Sequence, residues 1–343
     1  MEPRLILGIG ELLWDLLPAD HKSNGVGPRP AKPSGSLGGA PANFTVMAGR
    51  LGSHAVILSR IGRDELGRDA VAKLDPLPAD TEFLQVDSHH PTGTVTVDLK
   101  DGQAQYVIHQ PVAWDFMELN DDWVRLADRA DAICFGSLAQ RALESRQTIQ
   151  TLAAQTRSGC VRVFDVNLRP PFYSSEVIQE SLELATVLKM NDAEVPQVLG
   201  LLGLPANDCV DSAGLRRGAE RMLAEFPTLR LVAITRGGNG SLLVTRDEAD
   251  DHPGIPAKVA DTIGAGDAFT AAMTTYLMRG APLATINEAG NRWGSWVASQ
   301  AGAMPPLQSD LSTRVTREIE RYTATAGERA KAGNPAKAGN PVK

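Results

Sequence analysis

Cysteine is scarce in this sequence: the 343 residues include only Cys134, Cys160 and Cys209, which lie far apart. No two of them are spaced as a zinc-ligand pair, and no Cys/His cluster occurs, so the pattern does not indicate a zinc site. Separate thiols in odd number are typical of a reducing compartment, and we expect a cytoplasmic location. Cys134 lies in an apolar run, where we expect it to be buried as a small hydrophobic residue.

Long apolar segments and an excess of positive charge are missing as well. No run approaches the ~20 residues that a membrane helix needs, and the first residues enter a strand-like run without the pattern of a signal peptide. The formal net charge is −7, whereas binding to a phosphate backbone would need a concentrated basic face. We therefore expect neither a membrane nor a nucleic acid as a partner.

The composition is otherwise that of a globular protein, with 43% hydrophobic residues, and the length allows one large α/β domain. Short apolar β-rich runs alternate with segments of helical period, which predicts a doubly wound α/β fold: a mostly parallel sheet with helices on both faces. The predicted strands are Leu5–Ile9, Ala55–Ile61, Ala132–Phe135, Val161–Val166, Val187–Met190 and Leu231–Thr235. The predicted helices are Pro41–Leu51, Arg141–Arg157, Gly214–Phe226 and Ala265–Arg279.

One stretch departs from this alternation. Thr92–Leu99 alternates apolar and polar residues, Asp101-Gly102 offers a tight turn, and Gln105–His109 resumes as a strand. This pattern predicts a β-hairpin. It either forms a small sheet that projects from the main domain, together with residues from about 10–38, or it lies at the edge of the main sheet.

The C-terminal segment carries a six-residue repeat, Ala330–Pro335 followed by Ala336–Pro341. The repeat has no large apolar side chain and so cannot offset the entropy lost on ordering. We therefore predict a domain over residues 1–325 and a disordered tail over residues 326–343.

The strongest chemical signal is Asp261–Asp267, directly before a predicted helix. The small residues Gly264, Ala265 and Gly266 let the backbone approach an anion, and amides at a helix N-terminus bind anions. A carboxylate among these amides would repel a phosphate, but it suits a base that takes a proton from an attacking hydroxyl, which points to Asp267. The structural alternative is a glycine turn in which Asp267 caps the helix.

A second glycine-rich turn, Leu37–Asn43, also leads into a helix, with Pro41 in its first turn. Gly38 and Gly39 permit close approach of the backbone to a ligand. Asn43 offers a donor and an acceptor, which suits the recognition of sugar hydroxyls. The structural alternative is a tight strand-to-helix turn.

Together these runs resemble the two signatures of the ribokinase-like (PfkB) carbohydrate kinases. Gly38–Gly52 is similar to the first and Asp261–Thr274 to the second, in the right order and at about the right separation, and the resemblance covers about residues 4–323. It implies transfer of phosphate from ATP to a small sugar, with Mg²⁺ as cofactor and Asp267 as the base. It also implies a β lid, formed from about 10–38 and 92–110, through which two copies pair as a homodimer.

The resemblance also assigns residues on the sugar side. It implies that Asp15 binds sugar hydroxyls and that Asn167 lines the active site. Arg169 is implied to stabilise negative charge on the phosphoryl group. It follows a strand that should end at the ligand-binding edge of the sheet. Its structural alternative is a surface arginine. Trp14 is expected either to pack against the apolar face of the sugar or to anchor the core or the lid.

On the nucleotide side, the resemblance implies that Asn191 lies near the phosphates and that Glu194 acts on Mg²⁺ through water. A capping box is the structural alternative for this pair. Thr235 and Gly237 are implied to hold the nucleotide, and Asn291 to contact the adenine. A β-hairpin turn before a strand at Ser241–Val244 is the structural alternative for the loop after Thr235, and the two are compatible. For potassium, an activating cation of many relatives, the implied positions are Asp261 and Ile263.

The identity of the sugar is left open by the residues. The runs Gly10–Pro18 and Phe135–Arg141 are similar to bacterial fructokinase-type members, which favours fructose. Ribokinase, 2-keto-3-deoxygluconate kinase and nucleoside kinase remain alternatives. A non-catalytic sugar-binding regulator is disfavoured because Asp267 is present, and an oxidoreductase is disfavoured because Gly8-x-Gly10 has no third glycine.

Overall fold

The computed structural model describes residues 3–16, 35–100 and 103–332. The strands are β1 (Leu5–Ile9), β2 (Leu13–Leu16), β3 (Gly35–Gly38), β4 (His54–Leu58), β5 (Arg60–Gly62), β6 (Gln85–Asp87), β7 (Gly93–Lys100), β8 (Gln103–Ile108), β9 (Ala132–Gly136), β10 (Val161–Asp165), β11 (Val187–Asn191), β12 (Leu231–Thr235), β13 (Ser241–Val244) and β14 (Ala249–His252). The helices are α1 (Ala40–Arg50), α2 (Glu65–Leu74), α3 (Asp121–Arg129), α4 (Leu143–Gln155), α5 (Ser175–Leu184), α6 (Glu194–Leu201), α7 (Ser212–Glu225), α8 (Ala265–Met278), α9 (Leu283–Ala298) and α10 (Leu311–Ala332).

The main sheet has eight strands in the order β14-β13-β12-β11-β10-β9-β1-β4. The strands from β12 to β4 are parallel, and β13 and β14 are antiparallel additions at one edge. Alternate residues of β1 enter two different cores: Leu7 packs with residues of α4 to α7, and Ile6 packs with residues of α1, α8 and α9. Helices therefore cover both faces, and the predicted doubly wound α/β fold is confirmed.

The hairpin belongs to a second sheet. Within the described residues it has four strands in the order β3-β2-β7-β8, in which β7 and β8 are antiparallel and β2 runs parallel to β7. The base of this sheet packs on a core of its own, where Trp14 and Leu37 meet side chains of α1 and α2. Of the two readings of the hairpin, the projecting sheet is therefore the one observed. Residues 17–34 and 101–102 lie outside the described residues.

Two sequence-based boundaries need correction. The predicted strand Ala55–Ile61 is interrupted at Ser59, where the chain leaves the main sheet, and β5 pairs instead with β6. The predicted disordered tail begins too early, because α10 continues through residue 326 to Ala332. A helix already packed through Leu311, Val315 and Ile319 needs no new nucleus to extend further, and the residues from 326 to 332 have good helix propensity except for Gly327. Residues 333–343 of the predicted tail lie outside the described residues.

No helix in the described part of the chain is both long enough and apolar enough to span a membrane. The three cysteines are free thiols, and Cys134 is buried as predicted.

Candidate active site

Parallel strands place the candidate residues at one edge of the main sheet. The strands β1, β9, β10, β11 and β12 all end there, and open α/β folds bind ligands beyond the carboxyl ends of such strands. Asp165, Asn191 and Thr235 are the last residues of β10, β11 and β12. The chain from Gly10 to Glu11 follows β1 at the same edge.

The anion loop, Gly264 to Asp267, opens α8 on the other side of this edge. Gly264 has φ 78°, and a Cβ on it would lie 2.7 Å from the Cα of Ala303, so only glycine fits without strain. The amide of Ala265 donates to Thr262 at 3.3 Å. Among the described residues, nothing accepts from the amides of Gly266 and Asp267, and these two N–H groups are free to bind an anion.

The carboxylate of Asp267 meets the glycine turn of α1. Asn43 Nδ2 donates to Asp267 Oδ2 over 2.7 Å, although 224 positions separate the two residues. Burial and the charge of Asp165 raise the pKa of Asp267 to about 6, and the hydrogen bond from Asn43 opposes this rise, as do Lys189 and Arg169. A carboxylate with a pKa near neutrality suits a general base.

The turn that holds Asn43 is built around glycine. Gly39 has φ 115°, and a Cβ on it would lie 2.2 Å from the carbonyl oxygen of Glu11. Gly38 faces Asp15, whose Oδ2 would be 3.5 Å from an added Cβ. Burial raises the pKa of Asp15, and the nearby Arg169 opposes the shift. The structure thus brings Asp15, Gly38, Gly39 and Asn43 together on the sugar side of the predicted site.

Trp14 does not face this pocket. Only 5% of its surface is exposed, its Nε1 donates to the carbonyl of Leu66 at 3.0 Å, and the ammonium of Lys73 lies 4.6 Å from its ring centroid. Of the two sequence-based readings, the anchor of the second sheet is the one observed.

Glu11 is a site residue that the sequence reasoning missed. It is buried, and its Oε1 accepts from the amide of Ala40 at the start of α1 over 3.3 Å. Burial raises its pKa to about 7, and the charge of Asp267 adds to the shift while Arg169 lowers it. In the sequence, Glu11 follows a buried strand after one glycine, and such a position can indicate a functional site. No motif spacing distinguished it from an ordinary loop residue.

The run from Asp165 to Arg169 crosses the sheet edge beside Asp267. Asn167 has φ 43°, a left-handed conformation that asparagine tolerates. The amide of Leu168 donates to Glu194 Oε1 at 2.8 Å, which fixes the run to α6. The guanidinium of Arg169 lowers the pKa of Glu11, Asp15 and Asp267. Arg169 is itself exposed, and its Nη1 donates to the carbonyl of Leu168 at 3.1 Å, so its contact with a phosphoryl group stays a proposal that its effect on these three carboxyl groups supports.

Asn191 and Glu194 form the capping box that was the structural alternative for this pair. Asn191 Oδ1 accepts from the amide of Glu194 at 3.0 Å, and Glu194 Oε2 accepts from the amide of Asn191 at 2.8 Å. With Oε1 on Leu168, both carboxylate oxygens hold backbone amides, which leaves room for a water-mediated contact with a metal but disfavours direct ligation. No cluster of three acidic, His or Cys side chains within the described ranges could hold a metal directly.

A cavity of about 620 Å³ opens beside the anion loop, within the usual size range for small-molecule and cofactor sites. Its lining includes Asn191, Thr235, Gly237 and Gly266, which lie at the strand ends and in the anion loop. Apolar side chains also line it: Ile255, Pro256, Ala257, Val259, Phe269 and Ala298. The arrangement suits a nucleotide, with phosphates at the helix N-terminus and the base in the apolar part.

Asn291 also lines this cavity, but its amide group is engaged. Its Nδ2 donates to Ser241 Oγ at 2.7 Å and to the carbonyl of Asn287 at 2.9 Å. Its side-chain oxygen is the part left for a ligand.

The predicted cation positions lie next to the anion loop. Asp261 Oδ1 accepts from the amide of Ile263 at 3.0 Å, and Oδ2 accepts from the amide of Gly302 at 3.1 Å. This pair of bonds holds the segment around Gly302 against the loop. We propose the carbonyl oxygens of Asp261 and Ile263 as cation ligands.

Lys189 is the second residue that the sequence reasoning missed. It lies within an apolar strand, yet its Nζ pairs with Asp165 Oδ1 at 3.1 Å and lies 3.1 Å from the position of a Cβ on Gly266. The sequence placed Lys189 next to the Asn191 motif but gave no reason to expect it beneath the anion loop, because Gly266 is 77 positions away.

A parallel sheet with a cavity of this size, free amides at a helix N-terminus and a carboxylate whose pKa is raised towards neutrality is the arrangement expected of a phosphotransferase that acts on a hydroxyl. The model of the pfkB family of carbohydrate kinases matches residues 4–310, and the chain belongs to this family. It is an ATP-dependent carbohydrate kinase.

The chain resembles several known proteins over most of its length. The uncharacterized sugar kinase PH1459 from Pyrococcus horikoshii is 28% identical, with a TM-score of 0.73 over 92% of this chain and 99% of that one, and it has also been solved in complex with ATP. A fructokinase of Vibrio alginolyticus is 29% identical over 296 residues, which are 80% of this chain and 90% of that protein. The aminoimidazole riboside kinase of Salmonella enterica, at 23% identity and a TM-score of 0.72, shares the fold, with 91% of this chain and 100% of that one covered.

Proposed function

We propose that this kinase transfers the γ-phosphoryl group of ATP to a primary hydroxyl of fructose. The observation that carries the proposal is the meeting of Asp267 with Asn43 at 2.7 Å, directly beside the free amides of the α8 N-terminus. Residues around Asn43 can then hold the sugar while the amides of the α8 N-terminus hold the phosphate. Asp267, the base whose pKa is raised, lies between them.

In the proposed reaction, Asp267 accepts the proton of the sugar hydroxyl, and the hydroxyl oxygen attacks the γ-phosphorus in line. The bond to the β-phosphate oxygen breaks, and ADP leaves. The amides of Gly266 and Asp267, with Ala265 adjacent and Arg169 opposite, stabilise the charge on the transferring group. Mg²⁺, when bound to the nucleotide and held by Glu194 through water, supplies further positive charge to the phosphates.

The proposed sugar contacts are Asp15, Asn43 and Asn167, with close approach of the backbone at Gly38 and Gly39. The second sheet, which carries Asp15 on β2, is proposed as a lid that closes over the sugar and excludes water. Exclusion of water limits hydrolysis of ATP in the absence of an acceptor.

Fructose is favoured by the similarity of Gly10–Pro18 and Phe135–Arg141 to fructokinase-type members and by the fructokinase of Vibrio alginolyticus among the relatives. Ribose, 2-keto-3-deoxygluconate and nucleosides are the alternatives, because one or two pocket residues can reset the specificity of a sugar site. A non-catalytic sugar-binding regulator would be a different class of protein. We also propose a cytoplasmic location.

A coupled assay of ADP release tests the substrate. We expect the highest kcat/KM for fructose in a panel with ribose, 2-keto-3-deoxygluconate, adenosine and inosine, and we expect potassium to raise the rate relative to a large organic cation. A higher kcat/KM for another acceptor contradicts the choice of fructose, and no release of ADP with any acceptor favours the regulator. A rate that is the same with both cations contradicts the proposed roles of Asp261 and Ile263.

A further inference from the structure

A buried ion pair lies beneath the anion loop and has no place in the reaction described so far. Asp165 and Lys189 are opposite each other on the parallel strands β10 and β11, their side chains meet at 3.1 Å, and both are less than 10% exposed. Buried charges are costly unless paired. Such a pair at the ligand-binding end of a sheet therefore calls for an explanation beyond packing.

The pair is joined to the loop from below. Lys189 Nζ lies 3.1 Å from the position of a Cβ on Gly266, closer than an ordinary van der Waals contact. Thr270, one turn further along α8, places its hydroxyl 2.9 Å from Asp165 Oδ2 and 2.9 Å from the carbonyl oxygen of Gly266. Among the described residues, Asp165 is the one hydrogen-bond acceptor of the Lys189 ammonium.

We propose that Asp165 is a positioning residue for Asp267: it holds the Lys189 ammonium and the Thr270 hydroxyl against the underside of the anion loop and balances the charge there. The proposal rests on the role of Asp267 as base given above. It assigns to Asp165 an effect exerted through other groups and no contact with the substrate.

The two charges of the pair act on Asp267 in opposite directions. The carboxylate of Asp165 raises the pKa of Asp267, and the ammonium of Lys189 lowers it. Other charged or titratable groups also act here: Arg169 lowers the pKa of Asp267, and the carboxylate of Asp267 raises the pKa values of Glu11 and Cys134. The carboxylate of Glu194 raises the pKa of Lys189 as well. In the described part of the chain, however, Asp165 and Lys189 form an ion pair only with each other, so removal of one partner leaves the other without its nearest opposite charge.

The test is the acidic limb of kcat/KM for the sugar as a function of pH. In Asp165→Asn, the unpaired ammonium should move the limb to lower pH. In Lys189→Met, the unpaired carboxylate should move it to higher pH, each by about half a unit or more. The double variant, with no charge on either side, should return towards the native limb.

Two controls separate charge from structure. Thr270→Val removes the hydroxyl but no charge, and Lys189→Arg keeps the charge, so neither should move the limb. If Lys189→Met does not fold, the comparison of Asp165→Asn with Lys189→Arg still decides. Limbs that coincide in all folded variants, with only the melting temperature changed, overturn the proposal.

This outcome is distinct from failure of the proposed function. If Asp267→Asn retains near-native turnover, Asp267 is not the base and the proposed mechanism fails directly. If that variant is inactive while the limbs of the Asp165 and Lys189 variants coincide, the mechanism stands and only the role of Asp165 is wrong.

Discussion

At the scale of single residues, the site contains more carboxyl groups than the proposed reaction uses. Glu11, Asp15 and Asp267 all have raised pKa values because the protein removes them from water. Arg169 is the cation whose charge acts on all three. Each of these carboxyl groups, when ionised at neutral pH, lowers the free energy of unfolding. Active sites commonly reduce the stability of a protein in this way, because the groups that serve catalysis are not placed for stability.

Replacement of the proposed base tests this relation. We expect Asp267→Asn to bind the sugar but to lose at least ~10²-fold in turnover, because the amide cannot accept the proton. The folded pKa of Asp267 lies above its ordinary value, so the native state loses stability as pH rises from about 4 to about 6, and the loss is complete above that pH. The variant should therefore unfold with a free energy about 3 kcal/mol higher at pH 8, and this gain should vanish below about pH 4. Near-normal turnover in a folded variant contradicts the assignment.

The pH dependence of the native enzyme follows from the same group. Asp267 must be ionised to act as base, and its pKa is raised to about 6 by burial and by Asp165. We expect kcat/KM to be constant at higher pH and to fall about tenfold per unit below about pH 6. Measurement of kcat/KM for the sugar between pH 5 and 8 checks this. A profile that is flat across the whole range would show that no group of this pKa is required.

At the scale of elements, two helices supply the two halves of the site. Helix α1 begins at the glycine turn and presents Asn43, while α8 begins at the anion loop and presents Asp267. The two helices pack together in one core through Phe44 and Met47 of α1 and Ala271 and Ala272 of α8. Their N-termini are thereby held at one place, and the hydrogen bond between Asn43 and Asp267 joins them.

The start of α8 can be tested with a matched pair of glycine variants. Gly264 and Gly280 lie just before and just after α8 with φ 78° and φ 69°. An added Cβ would clash with Ala303 at the first site, whereas it would meet nothing within 4 Å at the second. We expect Gly280→Ala to cost about 1 kcal/mol with normal activity. Gly264→Ala should cost about 2 kcal/mol more and lose turnover, because the free amides are displaced.

Chemical denaturation and steady-state kinetics of both variants give these values. Equal losses of stability and activity in the two proteins would show that the conformation of the anion loop is not critical.

At the scale of the whole molecule, the second sheet is the surface through which we predict that two copies associate. Its strands β3 and β8 are edge strands, and Tyr106 on β8 is 76% exposed, which is unusual for an aromatic side chain. The predicted homodimer through the lid would cover this surface. The proposal joins assembly to catalysis, because Asp15 lies on the same sheet.

Light scattering tests the dimer. We expect the native chain to have twice the monomer mass and Tyr106→Lys to shift it towards monomer. Val210→Lys, which changes an equally prominent apolar side chain in the main domain (88% exposed), should leave the mass unchanged. A monomeric native protein at the assay concentration contradicts the prediction.

Much of this molecule follows from local sequence. The alternation of apolar strands with helices determines the doubly wound fold, because buried parallel strands need helices on both faces. The two glycine-rich runs indicate phosphoryl transfer to a hydroxyl, because close approach of a backbone to an anion requires small residues at a helix N-terminus. These features depend on neighbouring residues, and neighbouring residues are visible in a sequence.

Other features depend on packing between distant segments, and only the tertiary structure decided them. In the structure, the amide of Asn43 donates to Asp267, and Trp14 packs in the core of the second sheet and not against the sugar side of the site. Glu11 is buried beside the glycine turn and accepts from the amide of Ala40. It also brought Lys189 and Asp165 under Gly266 from two strands of the sheet. The physical reason is that burial and pairing of charges are set by three-dimensional neighbours, whereas a motif records only the order of residues along the chain.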